Sequence, residues 1–390
     1  MTTQPGSQIN SPSQMVETRK FVGRRSESEA ALAELTDDAQ AALRQFSLER
    51  KMGYGIDYSD AVELRSRVMC GETWQSASTV LAEACLSGVH GANTATQIAY
   101  LRRASALIRM SQAMMLTDTD ERRAIYARAA DIYARAAELS GDCRRILIDS
   151  SGKALAGWYF PAQKQAAASV IVIGGIEGWA MDFDSLGQSL AARGVNVLML
   201  DGPGQGETRL THHHYLGADW REAYRSVLDH VEELAPDLPI GLIGNSMGGS
   251  IMMAIASEDQ RIGACCNNGG PFAPWMAPQG TTFFSKMISF CGVETSDEAI
   301  EMWKTVPPLV GGANAGYPLL MVHGAEDPLI SNDIAALLYE RAPTQDKRMV
   351  VFSDGDHCIY RHKQDRDILI SDWMISRLCP LPASGERQSS

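Results

Sequence analysis

A serine set among glycines, Gly244-Asn245-Ser246-Met247-Gly248-Gly249, follows the apolar run Ile240-Gly-Leu-Ile and precedes the helical stretch Ser250-Ile-Met-Met-Ala-Ile-Ala. G-x-S-x-G between a strand and a helix is the setting of an activated serine: the tight turn lifts the hydroxyl off the sheet and aims the helix N-terminus at the reacting group. The glycines fit because neighbouring side chains would collide in such a turn. Serine becomes a useful nucleophile only when a base takes its proton and an acid orients that base. Both partners follow in the chain order expected for this kind of turn. Asp327 lies in His323-Gly-Ala-Glu-Asp-Pro after the apolar run Leu319-Leu-Met-Val, and His357 lies in Asp354-Gly-Asp-His-Cys after Arg348-Met-Val-Val-Phe. Glu326 and Asp356 compete for the acid role, but Asp356 is adjacent to the histidine in sequence and reaches its ring poorly, which favours Asp327. Gly174-Gly175-Ile176-Glu177-Gly178 ends another strand and can offer backbone N–H groups to a developing oxyanion, Ile176 with Met247. Gly175 and Glu177 of that loop are candidate substrate contacts.

Glu177 is electrostatically awkward there, since a carboxylate repels the charge that develops. Either it turns away to pair with an arginine such as Arg209, or it binds a substrate hydroxyl or moves a proton onto a departing carbon. The second glycine-rich loop, Gly202-Pro-Gly-Gln-Gly-Glu207, lacks the G-K-[ST] of a phosphate-binding loop and the dinucleotide spacing, and reads as scaffold. His212-His213-His214 cannot all face one ion on regular backbone, and no other spacing suggests a metal. The reading is therefore cofactor-independent and metal-free.

The elements that must carry these residues fall into two textures. Residues 23–143 are Ala-rich and helical, clearest over Thr96–Leu116 and Asp120–Leu139, where the echo of Tyr126-Ala-Arg-Ala-Ala in Tyr133-Ala-Arg-Ala-Ala gives successive turns one face. No 34-residue period supports a repeat array. Residues 1–22 read as a polar tail. From residue 144 to 390, apolar strands alternate with helices, which implies a mostly parallel sheet because parallel strands need crossover connections. The aromatic and Met-rich segment 271–316 interrupts that alternation as a lid or a structural insertion. Met110, Met114 and Met115 are candidates to line a pocket between the helical domain and the sheet.

Composition narrows the partners. Lys+Arg number 35 against 47 Asp+Glu in 390 residues, a formal net charge of −12, which argues against nucleic-acid and anionic-membrane binding. No apolar run spans a bilayer and the N-terminus has no secretory h-region, so a cytoplasmic protein is expected. The eight cysteines show no metal or disulfide spacing.

From about Arg145 onward the chain resembles the α/β-hydrolase superfamily. With the helical N-terminal region and the string Asp201-Gly-Pro-Gly-Gln-Gly-Glu207, it resembles the group that contains 2,6-dihydroxypseudooxynicotine hydrolase, fungal polyketide-shortening hydrolases and fermentation–respiration-switch-type esterases. The resemblance implies an all-helical N-terminal domain beside an α/β-hydrolase sheet, with a small-molecule carbonyl substrate held between them. It also implies a homodimer and triad roles for Ser246, Asp327 and His357. Hydrolysis of a C–C bond next to a carbonyl is the activity it favours. Ester hydrolysis, acyl transfer or cyclisation, and a non-catalytic helical scaffold stand as rivals.

Overall fold

A computed structural model describes residues 15–19, 35–309, 312–314 and 316–379, the first five as backbone only. Most of the tail expected over 1–22 lies outside the described residues. Within it, β1 (Met15–Arg19) departs from the expectation by pairing in parallel with a strand over 347–352.

Six helices follow: α1 (Asp37–Gln45), α2 (Leu48–Gly53), α3 (Tyr58–Met69), α4 (Trp74–Ser87), α5 (Thr94–Ser111) and α6 (Asp120–Ser140). Each starts on a Thr, Ser, Asp or Asn (36, 47, 57, 73, 93, 119) whose side chain accepts a first-turn N–H. Such caps satisfy donors that the helix leaves open, each contributing about 1 kcal/mol. Helix α6 has two buried sides. Ala129, Ile132 and Ala136 join the core of the helical layer, while Tyr126, Ala130, Tyr133 and Ala137 join a core on one face of the sheet. The Tyr126/Tyr133 echo thus points at the sheet: Tyr126 meets Trp179 edge-on at 5.3 Å between centroids, and Tyr133 meets Trp158 at 4.6 Å.

The remaining strands are β2 (Arg144–Ser150), β3 (Lys153–Phe160), β4 (Ala168–Ile173), β5 (Val195–Asp201), β6 (Ile240–Asn245), β7 (Ile262–Asn268), β8 (Leu319–Gly324) and β9 (Lys347–Phe352). Their order across the sheet is β1-β9-β8-β7-β6-β4-β5-β3-β2. Pairing is parallel except at β2–β3 and β3–β5. The central strands β4 and β6 are buried at every position, which is why they read as continuous apolar runs. Helices α7 (Asp184–Ala192) and α14 (Lys363–Leu378) cover one face, and the chain between them also forms the short α8 (Gly206–Leu210) and α13 (Asn332–Arg341). Helices α9 (Trp220–Leu234) and α10 (Met247–Glu258) cover the other. Chain order reverses at β4, with β5 on one side and β6 on the other, and the register sets Ile173 beside Gly244. Ligands of open α/β sheets bind at the carboxyl ends of strands flanking such a reversal.

The segment 271–316 forms a short 3₁₀ turn at Pro274–Met276, α11 (Thr282–Cys291) and α12 (Ser296–Lys304). It is anchored to the helical layer, where Ser289 Oγ donates to Leu116 O at 2.7 Å. Because α6 shares its core with both layers, Tyr133→Ala is expected to cost about 3–5 kcal/mol. Chemical denaturation should still show one transition. Two separated transitions would contradict a shared core.

Candidate active site

Strand β6 ends at Asn245, α10 begins at Met247, and Ser246 between them has φ +53° and ψ −130°. A non-glycine residue held there stores on the order of 1–3 kcal/mol of strain, which the surroundings must over-determine. They do so by crowding. The Ser246 N–H donates to Asn268 O at 2.9 Å, and a Cβ on Gly248 would strike the Gly174 carbonyl. A Cβ on Gly175 would lie 2.7 Å from Ser246 Cβ and 3.1 Å from its Oγ, so only glycine leaves the hydroxyl clear.

His357 and Asp327 come to this serine from the ends of β9 and β8. His357 Nε2 is 2.8 Å from Ser246 Oγ, and its Nδ1 is 2.8 Å from Asp327 Oδ2. The other carboxylate oxygen, Asp327 Oδ1, accepts the N–H groups of Leu329 (2.8 Å) and Ile330 (3.0 Å), which fixes the carboxylate plane. The rival acids are engaged elsewhere. Glu326 pairs with Arg361, and Asp356 Oδ1 accepts the Arg361 N–H. Burial pushes the Asp327 carboxyl up, but the His357 ring and the two amides outweigh it and hold it below its ordinary value. Burial works against a proton on His357, yet Cys358 and Asp327 beside it raise its pKa above the ordinary 6.5.

The loop after His357 is strained as well, with Cys358 at φ +59° and Ile359 at φ +58°. Asn268 binds it to the serine turn. Its Nδ2 donates to Asn245 Oδ1 (2.7 Å) and Cys358 O (3.3 Å), while its carbonyl accepts from both Ser246 N and Cys358 Sγ. Sequence reasoning passed over Asn268; its only signal was an Asn-Asn pair closing an apolar strand.

The glycine loop after β4 is held by the scaffold loop after β5. Gln205 Nε2 donates to Gly174 O at 2.7 Å and to Gly175 O at 3.1 Å. With the Gly175 carbonyl engaged, the Ile176 N–H points the opposite way across the same planar peptide. The Ile176 and Met247 amides make no hydrogen bond among the described residues. Met247 opens α10, where helix N–H groups and the macrodipole both favour a negative charge.

Of the two readings for Glu177, pairing with Arg209 is not what the structure shows. Arg209 is bidentate to Asp118, at 2.8 Å on each oxygen. Glu177 Oε1 instead faces Lys286 Nζ of α11 at 3.2 Å and Arg122 Nη2 of α6 at 3.9 Å, with its side chain 8% exposed. Of the three methionines, Met110 is buried in the helical core and, with Glu177 and Trp179, lines a cavity of about 20 Å³. Met114 packs on the helical core, and Met115 is half-buried in the turn between α5 and α6. His214 is buried and His212 lies 3.8 Å from Glu207. Among the described residues no three His, Cys, Asp or Glu side chains are grouped to hold a metal.

A base at His357 must be neutral to accept a proton, so its raised pKa places the acid limb of kcat/KM above about 6.5. Asp327→Asn removes a negative charge facing the ring. The limb should therefore move to lower pH as the rate falls, measured as kcat/KM against pH. A limb that stays put or moves to higher pH would contradict the pairing.

The chain is similar to known proteins over both its layers. Residues 164–289 match the family described as serine aminopeptidase, S33. The chain is 25% identical over 336 residues to 2,6-dihydropseudooxynicotine hydrolase of Paenarthrobacter nicotinovorans, covering 83% of this chain and 89% of that protein. It is 30% identical over 203 residues to hydrolase acrC of Aspergillus aculeatus, covering 45% and 47%. The crystal structure of 2,6-dihydroxy-pseudo-oxynicotine hydrolase superposes with a TM-score of 0.73 at 23% identity, over 85% of this chain and 95% of that one. AbyA5 superposes at 0.65 and 16% identity, over 78% and 88%. At these identities the structures speak for the fold, and they include the helical layer as well as the sheet. The chain therefore has the α/β-hydrolase fold, with a helical N-terminal layer beside the sheet, and is similar to hydrolases.

Proposed function

We propose that the chain is a cofactor-independent serine hydrolase of a small carbonyl compound. The observation that carries this reading is the unbroken series Asp327 Oδ2–His357 Nδ1 and His357 Nε2–Ser246 Oγ, both at 2.8 Å, ending on a strained serine. His357 takes the Ser246 proton as Oγ bonds to the carbonyl carbon, and Asp327 stabilises the imidazolium that forms. The Ile176 and Met247 amides hold the oxyanion. His357 then returns the proton to the leaving group as its bond to the carbonyl carbon breaks. Water, deprotonated by the same ring, releases the acid from Ser246.

The bond cleaved is proposed to be C–C, next to the carbonyl of a β-diketone or acyl-phenol. The relationship to 2,6-dihydropseudooxynicotine hydrolase over 83% of the chain supports this, as does a carboxylate beside the site. Gly175 leaves room for the substrate above Ser246. Glu177 Oε2, which makes no hydrogen bond among the described residues, is proposed to accept from a substrate hydroxyl. Ester hydrolysis is the second reading, favoured by 21% identity to monoglyceride lipase of Mus musculus over 90% of that protein. A cytoplasmic homodimer is the proposed setting. All eight cysteines are free, as suits a reducing compartment, and no described helix is long and apolar enough to cross a membrane.

Ser246→Ala and His357→Ala should each lower kcat by about 10⁴ or more while far-UV circular dichroism stays unchanged. A folded Ser246→Ala protein with near-normal turnover would exclude Ser246 as the nucleophile. Glu177→Gln, assayed on a 1,3-diketone and on a simple activated ester, separates the two readings. The C–C reading expects roughly 10²-fold loss on the diketone and little change on the ester. Efficient ester turnover with no diketone cleavage by the native protein would favour the second reading.

A further inference from the structure

Glu177 directly follows Ile176, so a carboxylate stands one residue from an amide assigned to the oxyanion. An unbalanced negative charge there opposes the charge that develops in the reaction. Among the described residues two cations pair with it within 4 Å, while Arg50 of α2 feels it from farther away, and the two are not equivalent. Arg122, 1% exposed, is committed to other partners: Nε donates to Gln112 Oε1 at 2.7 Å and Nη1 to Asp118 Oδ1 at 3.2 Å. Its Nη2 makes no hydrogen bond and stays 3.9 Å from Glu177. Asp118 is shared with Arg209, which leaves Arg122 tied to that second pair.

Lys286 reaches Glu177 at 3.2 Å, and its only other partner among the described residues is the Ala113 carbonyl at 3.5 Å. Its side chain is 6% exposed, and an ammonium that deep is costly unless an anion balances it. Burial pulls its pKa down while Glu177 raises it. The lysine comes from α11 in the 271–316 insertion and the arginine from α6 in the helical layer. The oxyanion loop is therefore balanced by charges from two elements outside the sheet.

We propose that Lys286 is a positioning residue for the oxyanion loop: it neutralises Glu177, so that the Ile176 amide meets the developing anion in a locally balanced field. The proposal rests on the serine-hydrolase reading above, and it predicts that the harm done by removing Lys286 comes from the glutamate left behind. A lysine that served packing alone would do harm whether or not that glutamate were charged.

The test is a double-mutant cycle on an activated ester, 4-nitrophenyl acetate, in the full-length chain. Lys286→Met should lower kcat by about tenfold or more with KM within about twofold, because the charge acts on the transition state. Adding Glu177→Gln should restore kcat to within about threefold of Glu177→Gln alone. Lys286→Gln, which keeps a polar group, runs the same cycle if Lys286→Met does not fold. Wild-type kcat in Lys286→Met, or a double variant no faster than Lys286→Met, would overturn the proposal while leaving the hydrolase reading intact. A wild-type protein with neither esterase activity nor a serine that reacts with a fluorophosphonate would instead overturn the hydrolase reading, and the oxyanion role with it. Thermal unfolding of the same four proteins would then report the Lys286–Glu177 pair as a stability element only.

Discussion

Three backbone segments crowd together at Ser246, and the arrangement of the site follows from that close approach. The end of β4, the β6–α10 turn and the end of β7 meet where a side chain on Gly175 or Gly248 would collide, and Asn268 receives the Ser246 amide. The parallel register of β4, β6 and β7 brings these ends level. A left-handed serine is unfavourable in isolation, so it persists only because the central sheet is buried on both faces and does not yield. Asn268 extends the same constraint to the His357 loop through the Cys358 carbonyl. Ser246 and His357, the proposed nucleophile and base, are thus set by one rigid junction, which is what a hydrogen-bonded proton transfer needs.

Around that junction the polar groups are arranged by elements that do not belong to the sheet's alternation. Gln205, from the loop after β5, holds two carbonyls of the glycine loop after β4. Lys286 and Arg122 reach Glu177 from the insertion and from α6. Helix α6 is itself pinned to the sheet by Tyr126 and Tyr133. The helical layer therefore contributes to the electrostatics around Glu177, and the shared core makes it part of the same folded unit.

The parts of this arrangement legible in the sequence are those written in short stretches. Ser246, Asp327 and His357 each sit just past an apolar run, where strand ends put side chains on one rim, and the glycine loops announce turns that need bare backbone. The alternation of apolar runs and helices was enough for the mostly parallel sheet. What sequence reasoning missed depends on partners distant in the chain. Met-Val-Glu-Thr-Arg reads as polar tail until the edge of β9 supplies its hydrogen bonds. Arg209 is an arginine the sequence offers to Glu177, but Asp118 gives it a bidentate partner, and a lysine inside an aromatic, Met-rich insertion takes its place. The tyrosine echo showed that two turns share a face without showing that the face looks onto Trp158 and Trp179.

The central claim is that Ser246 is activated by His357 within this junction. The most direct measurement is reaction of the native protein with a fluorophosphonate, followed by mass mapping of the adduct, because the probe captures only a serine whose proton has somewhere to go. A single adduct on the peptide carrying Ser246, abolished by His357→Ala in a folded protein, is the result the account predicts. An unlabelled native protein, or an adduct on another residue, would contradict it.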